Sequence, residues 1–304
     1  MHIFLDVLWM TVQVLGLLLW SWIKFLLPSR PKSLDGETVL VTGGGSGIGR
    51  LMAVRFAQRG CTVILWDVNE KGNEETAVMI REAGGKVHAY TVDVSKMSTV
   101  TQAAAKVKQD VGEVSILVNN AGIIIGRTLL ELTEAEFTRT MAINAMAHVW
   151  TFKAFLPDMI KRNHGHIVTI ASVMGYLGLP KMADYCASKA AAQAIHETVE
   201  REALVAGADK INFTVVNPYL IHTGMFSGVA IDHDVLVQGL EPEYVADRIL
   251  QAVQTNQRVL CMPRTMYALV SLKGLFPVNA YFVIEKFFNV WAAMDKFVGR
   301  NKTK

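Results

Sequence analysis

Thr38-Val39-Leu40-Val41-Thr42, followed without a break by Gly43-Gly44-Gly45-Ser46-Gly47-Ile48-Gly49, is the stretch on which the fold turns. The β-branched run reads as a strand, the glycines as a tight turn, and the segment from about Ile48 as a helix. Glycines at 43, 47 and 49 let the backbone bend sharply and approach a pyrophosphate. The phosphate charge is then met by N–H groups at the helix N-terminus, with Ser46 at its entrance. Alone, such a pattern also fits a flexible loop. The next strand, Thr62 to Trp66, weakens that reading because it ends on Asp67, 18 residues beyond Gly49. A carboxylate there accepts hydrogen bonds from the two hydroxyls of an adenosine ribose and repels a 2′-phosphate, which favours NAD over NADP. A solvated turn residue or helix cap is the competing reading of Asp67, and Arg50 keeps NADP use open.

Beyond this stretch, strand-like segments recur at Val87 to Val92, Ser115 to Val118, His166 to Ile170, Ile211 to Val216 and Arg258 to Met262, with helical patterns between most of them. This alternation predicts an α/β fold, a doubly wound parallel sheet of Rossmann type in a single domain. Asp93-Val94, and Asn119 with Ala121 and Gly122 in Asn119-Asn120-Ala121-Gly122, fall at carboxyl edges of strands, where such sheets bind ligands.

The chain has 304 residues, enough for one large domain with appendages. Thirty Lys+Arg against 27 Asp+Glu leave a net charge of +3, too weak and scattered to indicate a nucleic-acid partner. Cys61, Cys186 and Cys261 form no CxxC or Cys/His cluster, so no metal site or disulfide framework is expected. The apolar fraction, 51%, is high for a soluble enzyme, and its excess lies at the two ends.

Ile3 to Leu27 is almost continuously apolar, broken mainly by Asp6, Thr11, Gln13, Ser21 and Lys24. A helix of about 20 such residues crosses a bilayer. The run lacks a basic n-region and a small-residue cleavage site, and Pro28, Arg30, Pro31 and Lys32 follow it directly, which favours an anchor over a signal peptide. Lys24, Arg30 and Lys32 on its C-terminal flank predict a catalytic domain facing the cytosol. A helix lying in one leaflet, as at a lipid droplet, fits the same residues. The expected division is 1–32, anchor and basic flank; 33–263, NAD-binding catalytic domain; and 264–304, an amphipathic extension. Between Met266 and Val298 aromatic residues interleave with Lys273, Glu285, Lys286 and Lys296, as in a membrane-contact element or lid; a subunit interface is the competing reading.

Tyr185-Cys186-Ala187-Ser188-Lys189 puts a phenol and an ammonium one helical turn apart on one face. A phenol with a pKa near 10 is a poor base at neutral pH, and a fixed cation beside it stabilises the phenolate. Ser172, 13 residues earlier and just past an apolar strand, could hydrogen-bond a substrate oxygen, and Asn144 lies on the preceding helix. Each has a bland reading when taken singly. Their order downstream of the glycine turn changes that.

Together, the glycine turn, Asp93-Val94, the Asn119–Gly122 run, Asn144, Ser172, the Tyr185–Lys189 pair, and Asn217-Pro218 followed by Thr223 strongly resemble the short-chain dehydrogenases/reductases from Thr38 to about Met262. The resemblance implies that Tyr185 is the acid/base, that Lys189 and the cofactor ribose relay its proton, that Ser172 polarises the reacting oxygen and that Asn144 holds a relay water. Pro218 and Thr223 fall on the cofactor side. One departure is Tyr219, where many members place glycine. Finer matches, such as LWDVNEKGNEET at 65–76, HTGMFSG at 222–228 and Met294-Asp295 with Phe297-Val298, resemble the branch of microsomal retinol dehydrogenases and lipid-droplet 17-beta-hydroxysteroid dehydrogenases.

That branch implies a lipophilic alcohol, all-trans-retinol first and steroids second, a membrane or lipid-droplet surface, endoplasmic reticulum or droplet residence, and a homodimer. Leu177, Leu179, Met182, Leu220, Met225, Phe226 and Val229 could line an apolar slot around Tyr185. A catalytically silent lipid-droplet scaffold and a nucleotide-sugar epimerase are the rivals. The intact Ser172, Tyr185 and Lys189 set argues against the first, and the glycine spacing against the second. Asn212 and Asn301 begin glycosylation sequons, and modification of Asn301 would contradict a cytosolic domain.

Overall fold

The computed structural model describes residues 2–26, 30–230 and 238–299, with only the backbone at 2 and 21–26. Pro28 and the Asn301 sequon lie outside them. The chain divides into two compact units, Met1–Lys32 and Ser33–Lys304. The first contains helix α1, His2–Leu26.

In the second unit β1 (Thr38–Thr42), β2 (Thr62–Asp67), β3 (Lys86–Thr91), β4 (Ile116–Asn119), β5 (Gly165–Ile170), β6 (Ile211–Pro218) and β7 (Val259–Met262) form one sheet in the order β3-β2-β1-β4-β5-β6-β7. All neighbours are parallel. Parallel strands need crossovers, which put helices on both faces. They are α2 (Gly47–Ala57), α3 (Glu70–Glu82), α4 (Met97–Asp110), α5 (Glu134–Met141), α6 (Ala147–Arg162), α7 (Ala183–Val205) and α8 (Pro242–Gln254).

Alternating strand residues feed two cores. Val39, Val41, Val63, Leu65 and Val118 pack with Phe56 of α2 and Ile249 of α8. Leu40, Ile64, Trp66, Leu117 and Ile167 pack with Val107 of α4 and with Phe155 and Met159 of α6. With both faces covered, the central strands need apolar residues at nearly every position, which is why they read as continuous runs.

β1 pairs with β2 on one side and β4 on the other, so the strand order reverses between β1 and β4. The carboxyl ends part there and leave a crevice. Beyond β7 the chain forms α9 (Thr265–Leu272), α10 (Val278–Phe287) and a 3-10 turn at Val290–Ala292. The single amphipathic stretch expected at 266–298 is therefore in pieces. Pro277 is the N-cap of α10, where its missing N–H costs no hydrogen bond.

Candidate active site

After β1, Gly43 and Gly47 take φ values of +68° and +53°, a backbone glycine adopts without a steric penalty. Gly49 lies in the first turn of α2, where a Cβ would overlap the Gly43 carbonyl oxygen. A Cβ on Gly45 would sit 2.9 Å from Asn73 N and 3.0 Å from Asp67 Oδ2. The loop is thus pressed against the start of α2, whose cap is Ser46, on one side and against the first turn of α3 on the other.

Asp67 at the end of β2 is fixed by two backbone donors, Gly45 N to Oδ2 and Asn69 N to Oδ1, both at 2.9 Å. Arg50 turns away from this space. Its guanidinium donates to Gly45 O at 2.7 Å, Gly72 O at 3.2 Å and Thr76 Oγ1 at 3.0 Å, and pairs with Glu75 at 2.9 Å.

Behind the loop, Thr42 Oγ1 accepts from Asn120 N at 2.9 Å and Ala121 N at 3.1 Å, and Asn120 Nδ2 donates to Thr42 O at 2.9 Å. Asn120, Ala121 and Gly122 line the crevice, but Asn119 does not. It ends β4, 1% exposed, with its Oδ1 accepting from Thr151 Oγ1 of α6 at 2.8 Å. Successive strand residues face opposite ways, and an Asn-Asn doublet carries no signal of which one faces the ligand. Asp93 and Val94 line the crevice beyond β3, with the Asp93 carboxylate held by Ser95 and Lys96.

Tyr185 and Lys189 lie in the first turns of α7, 5% and 4% exposed. Lys189 Nζ stands 5.7 Å from the centroid of the Tyr185 ring and donates to Ile170 O at 2.6 Å. Burial pulls the Lys189 pKa down to about 8. Burial likewise raises that of the Tyr185 phenol, with hydrogen bonding to Ser172 acting the other way.

Asn144 sits in a π-helical turn, Ala142–Met146, between α5 and α6. It is fully buried and clamps the backbone of Ile123, accepting from its N–H at 2.8 Å and donating to its carbonyl at 2.9 Å. Its Nδ2 also donates to Ser188 Oγ at 3.0 Å. A Cβ on Gly122 would lie 3.4 Å from Asn144 Oδ1 and 3.7 Å from Lys189 Nζ, so these groups converge behind that glycine.

Sequence reasoning missed two supports. Asp184, beside Tyr185 and fully buried, accepts from Thr140 Oγ1 at 2.7 Å and pins the start of α7. His148 is buried near Lys189. Burial, then the charges of Lys189 and His196, pull its pKa down to about 3, so it stays neutral and leaves Lys189 as the cation facing Tyr185. Long-range pairs of this kind have no local sequence signal.

One cavity of about 210 Å³ joins Gly43, Ser46, Gly47, Ile48, Gly49 and Asp67 to Ser172, Tyr185, Lys189, Pro218 and Thr223. Its glycine floor, fixed carboxylate and helix N-terminus fit a dinucleotide, with Tyr185 at the far end. Residues 37–234 match the sequence profile of the short chain dehydrogenases. The chain belongs to that family. Human epidermal retinol dehydrogenase 2 is 44% identical over 94% of this chain and 93% of its own length. The crystal structure of a short-chain dehydrogenase/reductase from Burkholderia phymatum in complex with NAD superposes with a TM-score of 0.72, at 27% identity, over 85% of this chain and 97% of that one. A metagenomic short-chain oxidoreductase in complex with NADP gives 0.64, also at 27% identity, over 75% and 96%.

As a short-chain dehydrogenase the protein is an NAD(P)-dependent oxidoreductase. Of the apolar residues expected around Tyr185, Met225 and Phe226 line the cavity, and Met182, Leu179 and Val229 belong to the cluster that covers Tyr185. Phe226 meets Tyr185 edge-on, ring centroids 6.0 Å apart. Leu177 and Leu179 line a neighbouring cavity, and Leu220 lines neither. The chain returns over this cluster near its end: Ala230 N donates to Ala293 O at 3.1 Å, Val298 N donates to Ser227 O at 2.9 Å, and Lys181 pairs with Asp295 at 2.6 Å. Met294 and Phe297 thereby join the cover of Tyr185.

Proposed function

We propose that the protein oxidises all-trans-retinol to all-trans-retinal with NAD, acting from a membrane surface with its catalytic domain on the cytosolic side of the endoplasmic reticulum or on a lipid droplet. The observation that carries the reading is the phenol and ammonium of Tyr185 and Lys189, buried together where the dinucleotide cavity meets an apolar cover. The retinoid assignment is supported by the name and the 44% identity of the human relative. The apolar α1 and the Arg30 and Lys32 flank support the membrane and its sidedness.

In this reading the glycine loop and the α2 N-terminus hold the pyrophosphate, and Asp67 takes the adenosine ribose hydroxyls. Asp93, Val94, Ala121 and Gly122 wall the dinucleotide, and Pro218 and Thr223 hold its nicotinamide end. Bound there, the nicotinamide supplies the hydride acceptor. Ser172 donates to the substrate oxygen, Tyr185 takes its proton as the carbonyl forms, and Lys189 holds the phenolate form down in energy. Asn144, anchored on Ile123, holds a water against Lys189 so that the proton can leave. The retracted Arg50 leaves Asp67 to set the preference for NAD, since a 2′-phosphate would meet a carboxylate and no free guanidinium.

The test is cofactor reduction by membrane fractions carrying the wild type, Tyr185→Phe or Asp67→Ser, given all-trans-retinol, estradiol or a long-chain alcohol. NAD-dependent retinal formation is expected, falling by about 10²–10⁴ in Tyr185→Phe. Asp67→Ser is expected to lose roughly tenfold or more with NAD while gaining with NADP. Turnover of estradiol alone would move the substrate to steroids. Absence of any turnover in folded, NAD-binding protein would favour a silent scaffold.

A further inference from the structure

A second cavity, of about 400 Å³, lies beside the catalytic one, between α9 and α10 and the loop after the 3-10 turn Val173–Gly175. Its walls are hydrocarbon, chiefly Leu177, Leu179, Leu269, Leu272 and Phe288. Of the four residues with polar side chains in its lining, Tyr219, Thr265, Tyr281 and Glu285, the last two have partners of their own: Tyr281 Oη donates to Leu269 O at 2.5 Å, and Glu285 accepts from Trp291 Nε1 at 2.9 Å. Apolar space of this size is unfavourable to leave unfilled, because its walls lack packing partners. It suits a hydrocarbon occupant.

Tyr219 lines both cavities. Its N–H donates to Met262 O at 2.8 Å, tying it to the end of β7, and its side chain packs against the cluster of Val173, Cys261 and Met266. A glycine at this place would remove that partition. The catalytic cavity must also take the dinucleotide, since the glycine loop, Asp67 and Thr223 line it, and Met225 and Phe226 wall it beside Tyr185. An alcohol that puts its hydroxyl at Tyr185 therefore has to place a long chain elsewhere.

We propose that Tyr219 is a specificity-determining residue, past which the hydrocarbon chain of a long-chain or isoprenoid alcohol runs from Tyr185 into the chamber between α9 and α10. This rests on the alcohol dehydrogenase reading above and adds where the substrate lies. Chain length is then read at the chamber, and Tyr219 is the side chain that must turn for the two spaces to join.

The full-length protein in membrane fractions tests it with the straight-chain series from 1-hexanol to 1-hexadecanol and with all-trans-retinol. Leu272→Trp, which fills the chamber, is expected to raise KM for hexadecanol and retinol about tenfold and to leave KM for hexanol and NAD within about twofold. Leu272→Phe repeats the test with a smaller intrusion should the tryptophan variant fail to fold. Tyr219→Gly is expected to flatten the dependence of KM on chain length. A second arm titrates retinol fluorescence against purified Tyr185→Phe, with and without Leu272→Trp, and needs no turnover. Binding that Leu272→Trp weakens, in a protein that oxidises nothing, would keep the chamber and remove the dehydrogenase reading. Equal effects on short and long alcohols, no effect of filling on retinol binding, or no retinol binding at all would overturn the chamber.

Discussion

At neutral pH the two central residues hold their protons. Lys189, brought down to about 8 by burial, is still largely ammonium, and the Tyr185 phenol, raised by burial, is un-ionised. That pair is ready to give a proton to a nascent alkoxide, as carbonyl reduction requires. Alcohol oxidation needs the reverse, a phenolate able to accept one. The first proton leaves the coupled pair near the Lys189 value of about 8, and the phenolate–ammonium form is one tautomer of that state. Thus kcat/KM for oxidation should climb by up to about tenfold per unit below pH ~8 and then level off, whereas reduction should stay level and then fall through the same range. The apparent value belongs to the coupled pair rather than to either group. Lys189→Met removes the cation and should push the rising limb to higher pH, with a loss of about two orders of magnitude in rate. Parallel pH–rate profiles in both directions check this, and a flat oxidation profile would count against the pairing. The pair was legible in the sequence because four-residue spacing fixes one helix face. Its environment was not, because His148, Asp184 and Thr140 reach it only through tertiary packing.

Among the elements, the glycine turn carries the sharpest test. A Cβ at Gly49 has no room beside the Gly43 carbonyl, so Gly49→Ala must lift the loop from α2 and spoil the phosphate cradle. Wild-type protein with NAD at 100 times its Kd should gain about 2.7 kcal/mol, a rise in Tm on the order of 5 °C. The variant should lose that rise while still unfolding cooperatively, which differential scanning calorimetry with and without NAD would record. The strands were readable within a residue or two because a parallel sheet buried on both faces demands apolar, β-branched runs. The π-turn at Ala142–Met146 was not, since one extra residue in a helical turn leaves no mark on composition. It is that turn which carries Asn144 to Ile123. The break between α9 and α10 at Pro277 was visible in principle, but the aromatic residues on either side continue one pattern across it.

On the scale of the whole molecule, two apolar surfaces belong to separate units. α1, 25 residues long, extends about 37 Å at 1.5 Å per residue, more than the ~30 Å hydrocarbon core of a bilayer. Its side chains from Ile3 to Trp20 are exposed, and the Thr11 hydroxyl donates to Val7 O at 2.8 Å. The second unit exposes Phe276, Val278, Phe282, Val283 and Phe287 along α10 and the loop before it. A spanning helix resists extraction, because its apolar side chains would have to move from hydrocarbon into water, whereas an apolar patch on a folded domain binds a surface reversibly. The full chain should therefore stay in the membrane pellet after alkaline carbonate. A chain lacking residues 1–32 should be released by carbonate yet still sediment with phospholipid vesicles at neutral pH, and Phe282→Ser with Val283→Ser should abolish that residual binding. If the truncated chain ignores vesicles and instead sediments as a dimer that the two serines dissociate, the α10 surface is a subunit contact and α1 alone brings the enzyme to lipid. If carbonate extracts the full chain, α1 lies in one leaflet, and a lipid-droplet monolayer becomes the surface to test.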